Sequence, residues 1–150
     1  MEAKRAMVIY SGGLDSTVSL YTALEKYSEV TALTFTYGSN HQAREFEAAE
    51  EICRQLGVKQ IVVDLPFIKQ HFKSSLLDNG STSYVVPFRN GIMTAIAAGI
   101  ADSNNIDVLV LTTHSTDAGC FPDCTEKFDI YMKSAIAAGT ASNVDLEIPF

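Results

Sequence analysis

The residues Ser11-Gly12-Gly13-Leu14-Asp15-Ser16-Thr17 carry the strongest chemical signal in the chain. They follow an apolar run, residues 6–10, and precede a helical pattern. Two glycines let the backbone turn tightly and approach a ligand closely. Their N–H groups, with the first N–H groups of the helix, form a concave anion site that the helix dipole reinforces. Ser11, Ser16 and Thr17 add hydroxyl donors, and Tyr10, Leu14 and Val18 complete a candidate nucleotide-binding stretch. Asp15 is out of place beside an anion unless a divalent cation bridges the two. Magnesium is commonly held by one or two carboxylates and phosphate oxygens, which makes Asp15 the candidate metal ligand. The plainer reading is that Asp15 or Ser16 only caps the helix. The whole string placed after a strand favours phosphate. It contains neither Gly-Lys-Ser/Thr nor Gly-x-Gly-x-x-Gly, so it is not a Walker loop or a dinucleotide fingerprint.

Further candidates follow the other strand-like runs. Arg89 opens a helix and could hold a carboxylate or phosphate bidentately, with an ordinary surface ion pair as the alternative. Asn90 could read a base edge or cap the same helix. Asp117 and Asp123 could bind magnesium or the guanidine-like edge of a purine-type base, or could serve only Asx turns. His41 could contact phosphate or move a proton; His71 reads as surface and His114 as ambiguous. Cys120 and Cys124 are spaced for a metal, but no second pair completes a zinc site. Cys53 lies on an apolar helical face and reads as core.

These residues need elements to place them. Residues 6–10, 30–36, 61–65 and 108–113 read as short strands buried on both faces, and 144–148 as a fifth. Val18, Tyr21, Leu24 and Tyr27 recur at helical spacing, as do Ala43, Phe46, Ala49, Cys53 and Leu56, with Gly57 ending that helix. Residues 91–102 form an Ala/Ile-rich helix that should be sandwiched, and 125–138 the last helix. Segment 66–86 is less regular, and 78–83 reads as a mobile loop. Strands alternating with helices predict an α/β fold with a doubly wound, parallel, five-stranded sheet and ligands at the carboxyl ends of the strands.

The composition agrees. The chain has 150 residues, 47% hydrophobic and 19% charged, and residues 1–150 are expected to form a single domain. Lys plus Arg number 11 and Asp plus Glu 18, giving −7 at pH 7. That balance argues against a partner held by its phosphate backbone, so no nucleic acid is expected. No apolar stretch approaches the ~20 residues of a membrane span, and the three cysteines have no framework spacing. A soluble cytoplasmic protein with reduced thiols is the simplest expectation.

The loop resembles the SGGxDS signature of the PP-loop ATP pyrophosphatases. Within that group, Tyr37-Gly38 followed by His41, Pro87-Phe88-Arg89-Asn90, and Asp117 followed by Phe121-Pro122-Asp123-Cys124 resemble, in order, segments of the 7-cyano-7-deazaguanine synthase family. The likeness runs over about residues 6–149. It departs at Ser39-Asn40 (Gln-Arg in the family), Phe88 (Gly), Phe121 (Tyr) and Thr125 (Arg). The resemblance implies a PP-loop fold that binds ATP with magnesium through residues 10–18, with Asp15, Arg89, Asp117 and Asp123 catalytic. It implies that His41, Arg89, Asn90, Asp117 and Asp123 contact the substrate, and that 7-carboxy-7-deazaguanine and ammonia become the nitrile in queuosine biosynthesis. Backbone around residues 33–36 would read the adenine, and two copies could pair. The family continues into a tail with a four-cysteine zinc site that this sequence does not contain. The sequence is then a piece of a longer protein or a short relative without zinc. Two other readings stay open: another amidating or thiolating PP-loop enzyme, and a non-catalytic nucleotide-binding module.

Overall fold

A computed structural model describes residues 2–38, 42–73, 86–113 and 121–149. Five strands form one parallel sheet: β1 (Glu2–Ile9), β2 (Tyr27–Thr36), β3 (Lys59–Asp64), β4 (Val108–Val110) and β5 (Asp145–Glu147). Their order is β3-β2-β1-β4-β5. The helices are α1 (Leu14–Lys26), α2 (Gln42–Leu56), α3 (Pro66–His71), α4 (Arg89–Ser103) and α5 (Glu126–Gly139), with a 3₁₀ turn at Pro122–Cys124.

Alternation along β1 sorts the core into two layers. Met7 and Ile9 point to one face with Leu33, Leu109 and Leu146, where α4 adds Ala97 and Ala101, α5 adds Ile136 and α3 adds Ile68. Ala6, Val8 and Tyr10 point to the other with Ala32 and Val110, where α1 adds Leu20 and Ala23 and α2 adds Ala49 and Cys53. Helices therefore cover both faces, as the alternating pattern predicts. Each fully buried Leu, Met or Val contributes roughly 1.5–3 kcal/mol through burial.

The sheet winds one way from β1 to β3 and the other way from β1 to β5. The reversal between β1 and β4 opens a crevice at their carboxyl ends, where ligands of such sheets bind. Backbone bonds carry the strands into that crevice: Tyr10 N–H donates to the Leu33 carbonyl (2.8 Å) and Leu111 N–H to that of Glu147 (3.0 Å).

Three expectations need correction. Residues 61–65 are not buried on both faces: β3 is the sheet edge, and Val62 is exposed. On α1 the predicted stripe turns outward at Val18 and Tyr21, while Leu24 packs against the core. Val18 and Tyr21 are exposed, Ser16, Ser19, Leu20 and Ala23 are buried, and Tyr27 belongs to β2. Small residues face the sheet because α1 lies close to it, with Ser19 Oγ 2.7 Å from Thr112 Oγ1. Part of the irregular segment is α3, opened by Pro66 at its first position. The loop read at 78–83 lies outside the described residues.

Candidate functional site

The loop after β1 is held by its own hydroxyls. Thr17 Oγ1 donates to the Gly13 carbonyl (2.7 Å) and meets Tyr10 Oη (2.9 Å). Ser16 Oγ donates to the same carbonyl (3.2 Å) and lies 3.1 Å from Ser11 Oγ, which accepts from Gly13 N–H (3.2 Å). The sequence reading gave all three hydroxyls to the anion. In the structure the Thr17 and Ser16 protons are committed to the Gly13 carbonyl and shape the loop. Ser11 is the one whose proton can turn outward, at the cost of its contact with Ser16.

The two glycines have different tasks. Gly12 has φ +92°, and a Cβ there would overlap the Glu45 carbonyl oxygen and lie 3.0 Å from Ala49 N. Its requirement is close packing on α2 rather than on a ligand. Gly13 has φ −74° and ψ 169°, which any residue adopts, and it is the N-cap of α1 with no side-chain cap bond. The N-cap position itself is Gly13, not Asp15 or Ser16 as the plain alternative had it. The first-turn N–H groups have no acceptor inside a helix, so an uncapped N-terminus at the mouth of the sheet suits an anion.

A cavity of about 300 Å³ opens beside this loop. Of the sequence-named residues, Tyr10, Ser11, Ser16, Arg89 and Asn90 line it. Gly12, Gly13, Leu14, Asp15, Thr17 and Val18 form the adjoining loop and first turns without contributing to that lining; Leu14 and Val18 are exposed. Thr34 and Phe35 supply another wall, within the stretch expected to face adenine. Sequence reasoning did not assign Glu45, Phe46, Met93 or Thr112, which also line the cavity. The available signal was position: Thr112 follows β4 and Glu45 opens α2, both at carboxyl ends of strands.

Arg89 reaches this cavity from the start of α4. Its Nη1 donates to Tyr37 Oη (3.0 Å), and the guanidinium carbon lies 6.0 Å from the Tyr37 ring centre. The chain enters α4 through Phe88 in the left-handed region (φ 55°, ψ 27°). The Phe88 ring meets Phe128 edge-on at 5.9 Å and lies over Gly91, where a Cβ would strike it. Asn90 is buried, is not the N-cap of α4, and reaches the cavity lining from the first turn. Its Nδ2 donates to the Asp123 carbonyl (3.2 Å) and Cys124 Sγ (3.3 Å). Asp123 is also buried, and its Oδ2 accepts the Asn90 backbone N–H at 2.8 Å.

His41, His114, Asp117 and Cys120 lie outside the described residues. Cys53 is core, and burial pushes its thiol up; burial likewise raises the Tyr10 hydroxyl, against the Thr17 hydrogen bond. Among the described residues no group of three His, Cys, Asp or Glu side chains is disposed to hold a metal, so nothing described here fits zinc. No helix among them is long and apolar enough to cross a membrane.

The family described as queuosine biosynthesis protein QueC matches residues 5–150. The 7-cyano-7-deazaguanine synthase of Desulfotalea psychrophila is 38% identical over 157 residues, covering 97% of this chain and 72% of that protein. The synthase of Methanocaldococcus jannaschii is 36% identical, covering 97% and 70%. Among solved structures, a predicted tRNA methyltransferase subunit from M. jannaschii superposes with TM-score 0.66 at 18% identity, over 97% of this chain and 67% of that one. The U34-tRNA thiolase NcsA of Methanococcus maripaludis, solved with its [4Fe-4S] cluster, gives 0.56 at 19% identity, over 74% and 39%. At these identities the likeness to the solved structures carries the fold alone.

Proposed function

The chain belongs to the QueC family of queuosine biosynthesis proteins, and on that premise we propose that it makes 7-cyano-7-deazaguanine from 7-carboxy-7-deazaguanine, ammonia and ATP. Two activations balance the reaction. AMP is transferred to a carboxylate oxygen as pyrophosphate leaves, and ammonia displaces that AMP to give the amide. A second ATP then adenylates the amide oxygen, and loss of this AMP with the oxygen and of two protons leaves the nitrile. No side-chain nucleophile is needed, so the protein's work is positioning and stabilising phosphate charge.

The observation that carries the reading is the meeting of three features at the switch point of the sheet. The glycine-capped α1 N-terminus, reaching the lining through Ser16, the Thr34–Phe35 wall and the Arg89 guanidinium meet at one cavity. The α1 N-terminus would take the pyrophosphate, the backbone at Thr34–Phe35 the adenine, and Arg89 the carboxylate of the second substrate. Magnesium would supply charge neutralisation between phosphates. Asp15 in the first turn of α1 fits it, because phosphate oxygens complete the shell that one carboxylate begins.

The test is to incubate the protein with ATP, magnesium, ammonium and 7-carboxy-7-deazaguanine and follow AMP, pyrophosphate and nitrile. Nitrile formation with AMP is the expected result. AMP released only with a different acceptor would move the protein to another PP-loop reaction, and ATP binding without AMP would refute catalysis.

A further inference from the structure

Asp123 is a buried titratable group at this end of the sheet for which the reaction above has no task, and its geometry assigns it one. It lies in the 3₁₀ turn after β4, 7% exposed, with its Oδ2 2.8 Å from the backbone N of Asn90, 33 residues away. Asn90 is the second residue of α4, so this N–H has no acceptor within its helix. Phe88, the N-cap residue, makes no side-chain cap bond. Asp123 therefore supplies from across the fold the cap that the local sequence lacks. The bond is reciprocated: the Asn90 carboxamide donates to the Asp123 carbonyl and to Cys124 Sγ. The turn is fixed in its own right, because Thr125 Oγ1 donates to the Pro122 carbonyl (2.9 Å) and accepts from Phe128 N–H (3.2 Å), tying it to α5.

Two consequences follow for the neighbouring residue. Arg89 immediately precedes the clamped Asn90 N–H, so the clamp sets the angle at which its side chain leaves α4 toward Tyr37 and the cavity. A carboxylate at the start of α4 also occupies that helix's anion-attracting end. An incoming anion then finds the open N-terminus of α1 and the Arg89 guanidinium, not the α4 backbone.

We propose that Asp123 is a positioning residue. It clamps the first turn of α4 to the turn after β4, aims Arg89 at the carboxylate of the second substrate, and binds neither magnesium nor the base. This rests on the reading that Arg89 holds that carboxylate. The experiment compares Asp123→Asn and Asp123→Ala with the native protein, measuring KM separately for ATP and for 7-carboxy-7-deazaguanine, kcat, the magnesium dependence and thermal melting. Asn keeps an oxygen acceptor of the same reach, so turnover should stay within about threefold of native with an unchanged magnesium requirement. Ala should raise KM for the carboxylate by about tenfold or more and leave KM for ATP unchanged, since small misplacements of a binding group are costly. Rescue by Asn and the split between the two substrates are what a merely structural residue would not show. A well-folded Asn variant that loses turnover or needs more magnesium would overturn the proposal in favour of a metal ligand. An Ala variant in which both KM values move together, or neither moves, would overturn it as well. A native protein that forms no nitrile would instead refute the reading of function, so the two failures are separable.

Discussion

The two loop glycines make a paired test. In Gly12→Ala the new Cβ would overlap the Glu45 carbonyl oxygen and lie 3.0 Å from Ala49 N and 3.2 Å from Ala49 Cβ. Both are backbone-anchored positions on α2, so the loop and the helix must separate. The φ of +92° adds about 1–2 kcal/mol for any L side chain, and overpacking a tight contact adds roughly 1–3 kcal/mol. Reduced unfolded-chain entropy returns about 0.4–1 kcal/mol. The net destabilisation is about 1–4.6 kcal/mol, which at ~2–4 °C per kcal/mol for a chain of this size lowers Tm by roughly 2–18 °C. Gly13→Ala starts from a permissive backbone, and its Cβ meets only Ser11 Oγ at 3.4 Å, an ordinary contact. Its Tm should change much less than that of Gly12→Ala, because the weaker N-cap that alanine makes is offset by the stiffer unfolded chain. ATP affinity should nevertheless fall, because the methyl group stands where the helix N-terminus receives phosphate. Thermal melts beside ATP titrations separate the two variants. A Gly12→Ala protein with native Tm would refute the packing argument. A Gly13→Ala protein that binds ATP as well as native would refute the placement of the anion.

Four further outcomes are expected. Phe88→Gly should shift stability by less than about 1 kcal/mol, because relief of the left-handed φ offsets loss of the Phe128 contact, whereas Phe88→Ala keeps the strain and should cost about 1 kcal/mol more; equal melts for the two would contradict this. Arg89→Ala should raise KM for the carboxylate substrate much more than for ATP, and equal losses in a binding titration would remove Arg89 from that role. Glu147 should contribute to acid stability. Burial raises its carboxyl, but the Tyr27 hydroxyl at 2.5 Å and the Lys26 ammonium at 2.9 Å outweigh burial and hold it below the usual glutamate range. A depressed carboxylate stabilises the fold above its unfolded pKa, and the contribution is lost as pH falls from there through the folded value. Glu147→Gln should therefore melt lower at neutral pH and lose less on acidification; parallel native and variant curves would rule this out. At the alkaline end, burial and then Glu147 push the Tyr27 hydroxyl up to about 12. Its contribution is full below the ordinary tyrosine value of 10.0 and is lost as pH rises from there toward 12.

What the sequence made legible follows from where each structural cause lies. Strand–helix alternation is a local pattern, and it carried the parallel α/β sheet and the strands that end at the site. The inward face of α1 was misread because hydrophobicity marks Val18 and Tyr21, whereas a helix lying close on a sheet needs small residues there, and Ser16, Ser19 and Ala23 supply them. β3 was misread as doubly buried because its apolar run does not report its place at the edge of the sheet among the described strands, where Val62 is exposed.

The site divides in the same way. Residues 11–17 are contiguous, so their spacing alone placed a loop before a helix. The contacts Arg89–Tyr37 and Asn90–Asp123 join positions 52 and 33 residues apart, and no local pattern encodes them. Asp15 and Asp123 looked alike as candidate magnesium ligands. Folding gives them different surroundings: Asp15 stands in the first turn of a helix whose cap is glycine, and Asp123 is the remote cap of another helix. Phe88 is the clearest case of a departure whose meaning needs coordinates. Where the resembling family has glycine, this chain has an aromatic residue at φ 55°, a conformation glycine adopts without cost. Its ring is accommodated because Gly91 leaves room beneath it and Phe128 meets its edge. The substitution therefore exchanges backbone ease for side-chain contact between α4 and α5, at the corner from which Arg89 is aimed.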